Sequence, residues 1–148
     1  MKFSKKSRYG VTALIDLAVN SKNGHVALGS IAERNEISPQ YLEQVFASLR
    51  RAGIVKSVKG SQGGYLLNHP SSNITVASIV QALEGTYYLD DEEVRGEGSA
   101  AGIAETIQAD IVDKVNHGLD QILQHLTLAD LEEDFQERKS GGQEMYYI

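Results

Sequence analysis

Cysteine and tryptophan are absent from this chain, and proline occurs only twice. Without thiols there can be no disulfide, no thiolate nucleophile and no cysteine-held metal or iron–sulfur cluster. Long apolar runs are missing too: none approaches the roughly 20 residues that span a bilayer. The basic start, MKFSKKSRYG, is not followed by the uninterrupted apolar stretch and small-residue cleavage site of a secretory signal, so a cytoplasmic protein with no membrane partner is expected. Enzyme signatures are equally scarce. No Gly-x-Ser-x-Gly, zinc-peptidase or dinucleotide pattern occurs, and His25, His69, His117 and His125 are scattered among a loop, a turn and a helix. His117 and His125 stand about two helical turns apart, too far to share a metal without a third element. The acidic run Asp90–Glu93 reads as a solvated loop. The expectation is therefore no catalytic residue, no metal and no cofactor.

What the chain does contain is a division of charge. Residues 1–70 hold ten Lys/Arg against four Asp/Glu, whereas residues 71–148 hold four against sixteen. A basic half joined to an acidic half suits a polyanion-binding domain attached to one that avoids the polyanion. With 41% apolar and 23% charged residues in 148, the chain is globular, with room for one ordinary core and an appended dimerisation element.

The most informative stretch is Ile37 to Arg51, ISPQYLEQVFASLRR. Ser38 is a natural N-cap, and Pro39 falls at the first helical position, where its fixed φ helps and its missing N–H costs nothing. Ile37 and Leu42 form a hydrophobic staple. Leu42, Val45, Phe46 and Leu49 make one buried stripe. The opposite face carries Gln40, Glu43, Gln44, Ala47, Ser48 and Arg51, which suits a helix that reads edges.

Around it, residues 5–21 read as a helix with Val11, Leu14, Ile15 and Ala18 on one face. Lys5, Lys6 and Arg8 crowd its start, where they oppose the helix dipole. A short helix over Gly29–Asn35 and a tight connection then make a helix-turn-helix. Gly53 stops the reading helix; Ile54–Val58 and Tyr65–Asn68 are strands joined by KGSQGG, forming a hairpin wing. Thr75 caps a helix over Val76–Glu84, and Gly85 ends it. Residues 86–102 have no periodicity and read as an acidic loop. Ile103, Ile107, Ile111, Val115, Leu119, Ile122 and Leu126 then recur at steps of three and four, predicting a helix over 103–126. At roughly 36 Å it is longer than one small domain needs, so pairing with a second chain is expected through Ile107, Ile111, Val115, Leu119 and Ile122. A short helix over Thr127–Phe135 follows, and 136–148 is expected to be a flexible tail. The fold class is mainly α with a small β-hairpin wing: a winged helix-turn-helix domain over 1–85, the acidic loop 86–102, a dimerisation helix and a short following helix over 103–135, and the tail.

A helix in the major groove flanked by phosphate contacts fits these parts. Gln pairs with adenine, Glu accepts from cytosine and Arg forks to guanine, so Gln40, Glu43, Gln44, Arg51 and the wing-tip Lys59 are candidate base contacts. Candidate phosphate contacts are Lys5, Lys6, Arg8, Tyr9, Ser38, Tyr41, Arg50, Lys56, Gly60 and Gln62. Core packing for Tyr9, and an ion pair within its own fold for Arg50, are the competing readings.

The blocks RYGVTALIDLA, ISPQYLEQVFASLRRAGIVKSVKGSQGGYLL and VASIVQALEG closely resemble the Rrf-type (Rrf-two) winged-helix transcriptional regulators. The resemblance covers residues 1–85 with high specificity and the long helix more weakly. It implies a homodimer on a palindromic double-stranded operator, with Gln40, Glu43 and Lys59 at base-reading positions. Members often carry Arg at the wing position, and Lys59 keeps the charge without the planar fork. Cluster-binding members place three cysteines in the loop matching 86–102, where this chain has none. The likeness is then to the cluster-free branch, which includes a repressor of cysteine metabolism. That branch also offers Tyr146, Tyr147 and Ile148 as a docking peptide for cysteine synthase, against a tail folded on its own dimer. A winged-helix interaction module with little DNA binding, acting through that tail, is the alternative.

Overall fold

Ser4 opens the first helix by accepting from the Ser7 amide at 3.4 Å, and α1 runs Lys5–Asn20. The computed structural model describes residues 3–91 and 97–146, with side-chain contacts through residue 141. α2 (Leu28–Asn35) ends at Glu36 in the left-handed region, φ 54°, which folds the chain back within two residues. Ser38 then caps α3 (Pro39–Arg51) by accepting from the Tyr41 amide at 3.4 Å, with Pro39 in the first turn as expected. β1 (Val55–Val58) and β2 (Gly64–Leu67) pair antiparallel, in the register Val55 to Leu67 through Val58 to Gly64. A single turn of 3₁₀ helix, Ser71–Asn73, leads to α4 (Val76–Glu84), capped by Thr75 and stopped at Gly85.

The main core lies where α1, α2, α3, β1 and α4 meet. Leu14, Leu17, Ile31, Leu42, Phe46, Leu49 and Ile79 are fully buried there. The stripe of α3 is the one expected. That of α1 is shifted: Ser7, Gly10, Ala13, Leu14, Leu17 and Ala18 are buried, and Val11 and Ile15 pack at its margin. Each fully buried apolar side chain stabilises by about 1.5–3 kcal/mol, which holds α3 rigidly with its polar face outward.

The second half departs from expectation in three places. The rod of the long helix begins earlier, as α5 (Ser99–Ile107), and passes through a π turn at Gln108–Val112 into α6 (Asp113–Leu123). A stripe spaced by four residues drifts by roughly 40° per step on an ideal helix. The wider π turn takes up part of that drift, keeping Ile107, Ile111 and Val115 nearer one line.

The expected loop at 86–102 also holds core. Tyr87 is buried with Val76, Ala77 and Val80 in a second cluster, flanked by Tyr88, Leu119, Leu123, Leu126 and Leu131. Leu119 and Leu126 thus serve the chain's own core, leaving Ile103, Ile107, Ile111, Val115 and Ile122 exposed.

The third departure is the tail. The short helix expected over 127–135 and the described part of the segment expected to be flexible, 136–146, are one helix, α7 (Leu128–Tyr146). Asp134 and Arg138, one turn apart, pair at 2.7 Å and carry the helix past its expected end. The glycines that follow weaken a helix by about 1 kcal/mol each without breaking its hydrogen bonds. Tyr147 and Ile148 lie outside the described residues.

Candidate nucleic-acid interface

With Leu42, Val45, Phe46 and Leu49 turned into the core, α3 presents Gln40, Glu43, Gln44, Arg50 and Arg51 to solvent. Tyr41, half-buried, meets the edge of Tyr9 from α1, with ring centroids 5.7 Å apart and planes at 85°. Lys5 lies over the Tyr9 ring at 5.6 Å. This aromatic joint fixes the start of α1 beside the start of α3. Both tyrosines are therefore packing groups first, which favours the core reading of Tyr9.

Ser48 is a residue that the sequence pattern misplaces. Helical periodicity puts it on the reading face, yet it is only 8% exposed. Its hydroxyl donates to the Gln44 carbonyl at 3.4 Å and accepts from Lys6 at 3.5 Å and Arg51 at 3.2 Å. One small hydroxyl thus gathers a cation from α1 and a cation from α3 at adjacent points of the surface. The signal for it is local, since Ser48 stands one turn before Arg51. Its partner Lys6 lies 42 residues away and has no local signature.

The wing is built by backbone proximity. Val26 and Tyr65 exchange hydrogen bonds of 3.0 and 2.9 Å, so the segment before α2 adds a bridge to β2. At Gly64 a Cβ would stand 2.4 Å from the Val26 carbonyl oxygen, so only glycine fits. His25, exposed in the loop before α2, donates from Nε2 to the Gln62 carbonyl at 2.5 Å and pins the tip. Lys56, Lys59, Gly60 and Gln62 are exposed along the hairpin, Lys59 and Gly60 at its turn.

Charge separates this surface from the rest of the protein. The ion pairs among the described residues are Lys22–Glu132 at 2.8 Å, Arg34–Asp16 at 2.7 Å and Arg138–Asp134 at 2.7 Å. None involves Lys5, Lys6, Arg8, Arg50, Arg51, Lys56 or Lys59. Arg50, for which an intramolecular partner was the competing reading, has no ion pair among the described residues. Cations left without carboxylate partners on one face are available to phosphates, and each releases a counterion on binding one.

At the far end of α4, the Tyr87 hydroxyl donates to Asp120 Oδ1, and the Tyr88 hydroxyl reaches both Asp120 oxygens at 2.8 Å. Burial, and then the bond to Asp120, pushes the Tyr87 phenol well above its ordinary range. The Tyr87 and Tyr88 hydroxyls in turn hold the Asp120 carboxyl below the usual carboxylate range. Asn116 accepts from the Leu89 amide at 2.8 Å, and Gln108 donates to Asp91 at 2.8 Å. Residues 87–91 are thereby tied down on the rod of α5 and α6. This donor set does not suit an iron–sulfur cluster. There are no thiolates, and among the described residues no trio of His, Asp or Glu could hold a metal ion.

The Rrf2 family profile, described as an iron-dependent transcriptional regulator, matches residues 3–134. The HTH-type transcriptional regulator IscR of Klebsiella pneumoniae is 37% identical over 131 residues, covering 88% of this chain and 79% of that protein. Among solved structures, CymR, the global cysteine regulator of B. subtilis, aligns with a TM-score of 0.71 at 35% identity, covering 90% of this chain and 97% of that one. IscR of T. potens aligns with a TM-score of 0.62 at 38% identity, covering 93% and 90%. These relatives are regulators and not enzymes. With the family model and these relatives in agreement, the chain belongs to the Rrf2 family of helix-turn-helix, DNA-binding transcriptional regulators.

Proposed function

We propose that this regulator is a cytoplasmic homodimeric repressor that reads a palindromic operator without an iron–sulfur cluster and acts on cysteine and sulfur metabolism. The observation that carries the DNA reading is the set of cations beside the outward face of α3 that have no ion pair among the described residues. Gln40, Glu43, Gln44 and Arg51 contact base edges in the major groove, and Lys59 reaches the next groove from the wing. Lys5, Lys6, Arg8, Arg50 and Lys56 contact phosphates, supported by Ser38, Tyr9, Tyr41, Gly60 and Gln62.

The dimer is supported by a row of large apolar side chains that the chain itself leaves uncovered. Ile103 is 63% exposed, Ile107 49% and Ile111 54%, and Val115 and Ile122 continue the row. A second copy of the same rod buries them, and two reading heads then face two half-sites. Tyr87, Tyr88 and Leu89 occupy the start of the loop where cluster-binding members carry cysteines, which is the support for regulation without a cluster. The cysteine link rests on the likeness to CymR of B. subtilis. Docking of the C-terminal Tyr146, Tyr147 and Ile148 into cysteine synthase, with the terminal carboxylate held by backbone amides, is a further part of this reading; Tyr147 and Ile148 lie outside the described residues.

Genome-wide mapping of bound DNA, with and without sulfur limitation, tests this reading. Enrichment of inverted repeats upstream of sulfur genes, lost or gained on limitation, is the expected result. Absence of any enriched sequence would leave the winged helix as an interaction module.

A further inference from the structure

The first turn of α1 has an electrostatic fault. Lys5, Lys6 and Arg8 crowd an end where the helix dipole is already positive, and that turn has no acidic residue of its own. The fold repairs the fault from elsewhere. Glu84, the last residue of α4, sends Oε1 into the start of α1, where three donors converge on it. These are the Ser4 amide at 3.3 Å, the Ser4 hydroxyl, and the Ser7 hydroxyl at 2.7 Å. Ser4 Oγ in turn accepts from the Ser7 amide, so the cap and the carboxylate form one hydrogen-bonded unit. Ser7 is fully buried. One turn on, a Cβ at Gly10 would stand 2.3 Å from Leu83 Cδ1, so the Leu83 side chain of α4 packs directly over that glycine of α1.

We infer that Glu84 is a positioning residue for DNA phosphate binding: its carboxylate fixes the first turn of α1 and thereby aims Lys5, Lys6 and Arg8 at the backbone of the duplex. This rests on the reading of α1 and α3 as the DNA-facing surface. Glu84 touches no base, so its effect falls on the phosphate contacts alone. It also lies just ahead of the Tyr87–Tyr88–Asp120 knot on the dimer rod. The aim of the three cations is therefore set from the junction between the two halves of the molecule.

The experiment is a salt titration of the full-length protein on its mapped operator and on a scrambled duplex. Wild type is compared with Glu84→Ala, Glu84→Gln and the double variant Ser4→Ala, Ser7→Ala. Loss of three phosphate contacts lowers the slope of log K against log salt by about 0.9 per contact. Summed over three contacts in each of two protomers, the loss of affinity between about 50 and about 200 mM salt would then be roughly 2,000-fold smaller in Glu84→Ala. The operator-to-scrambled ratio stays as in wild type, because α3 is unchanged. Glu84→Gln, which keeps an acceptor oxygen, recovers most of the slope, and the serine variant loses it even if Glu84→Ala fails to fold. A wild-type slope in both Glu84→Ala and the serine variant overturns the inference while leaving the DNA reading intact. So does a fall in the operator-to-scrambled ratio alongside the slope, which marks general damage. A wild-type protein without salt-dependent binding overturns both.

Discussion

The two halves of this molecule spend their side chains in opposite ways. Residues 3–85 bury or half-bury nearly every large apolar group, and Lys5, Arg8, Arg50, Lys56 and Lys59 have no ion pairs among the described residues. Residues 99–123 leave Ile103, Ile107, Ile111 and Ile122 in solvent. One half is complete as a fold and shows cations without carboxylate partners among the described residues; the other, rich in carboxylates, is incomplete as a fold. Each deficit names a partner, a polyanion for the first and an apolar surface for the second. A chain with a closed core and an open rod is what a dimeric DNA reader requires of one protomer.

The contrast can be broken at either end. Phe46→Ala, in the closed core, should cost about 3–5 kcal/mol of stability and abolish DNA binding by unfolding the reading half, as thermal melts would record. Ile111→Asp, in the open row, should leave the reading domain folded but yield monomers in sedimentation. Without the second half-site, operator affinity should fall by roughly a hundredfold or more. A stable dimer in that variant would mean that the exposed row is not the interface.

Within the reading half a finer cut is available. Gln44→Ala and Arg51→Ala should each lose about 1–3 kcal/mol of discrimination at one operator position, measured on a panel of single-base changes. Lys56→Ala should weaken all sequences alike and lower the salt slope by about 0.9 per site.

Much of the reading half was legible because its signals are local. Ser38 before Pro39, Thr75 before α4 and Gly85 after it are caps whose partners lie within a turn, and each stands where the sequence put it. The features that escaped are pairings across distance. Ser4 and Ser7 meet Glu84 across 80 and 77 residues, and no periodicity in either segment announces the contact. Tyr87 and Tyr88 stood in a stretch without helical or strand pattern, because what packs around them is α4 together with Leu119 and Leu123 of α6. The π turn at Gln108–Val112 is invisible for a related reason: steps of four residues in a sequence do not say whether the backbone or the stripe bends to accommodate them.

The smallest effect probes the knot between the halves. Asp120 is held below its ordinary 3.8 by the Tyr87 and Tyr88 hydroxyls. The unfolded chain therefore takes up the proton first as pH falls. The stabilisation is complete above the ordinary value and is lost as pH drops through the lower folded value. Tyr87 works at the other end. Its phenol is raised above 10.0, so the unfolded chain releases that proton first and stability declines as pH climbs past that point. Melts of wild type and Asp120→Asn should differ by a constant amount near neutrality and converge only in acid. Convergence already at neutral pH would mean that the tyrosine–aspartate bonds do not form in solution.

The most direct test of the whole account is the salt dependence of wild-type binding to the mapped inverted repeat. Three phosphate-facing cations at the start of α1 in each of two protomers should give a slope of about −5 or steeper, with the operator preferred over a scrambled duplex by roughly a thousandfold or more. A shallow slope with no preference between the two duplexes would contradict it.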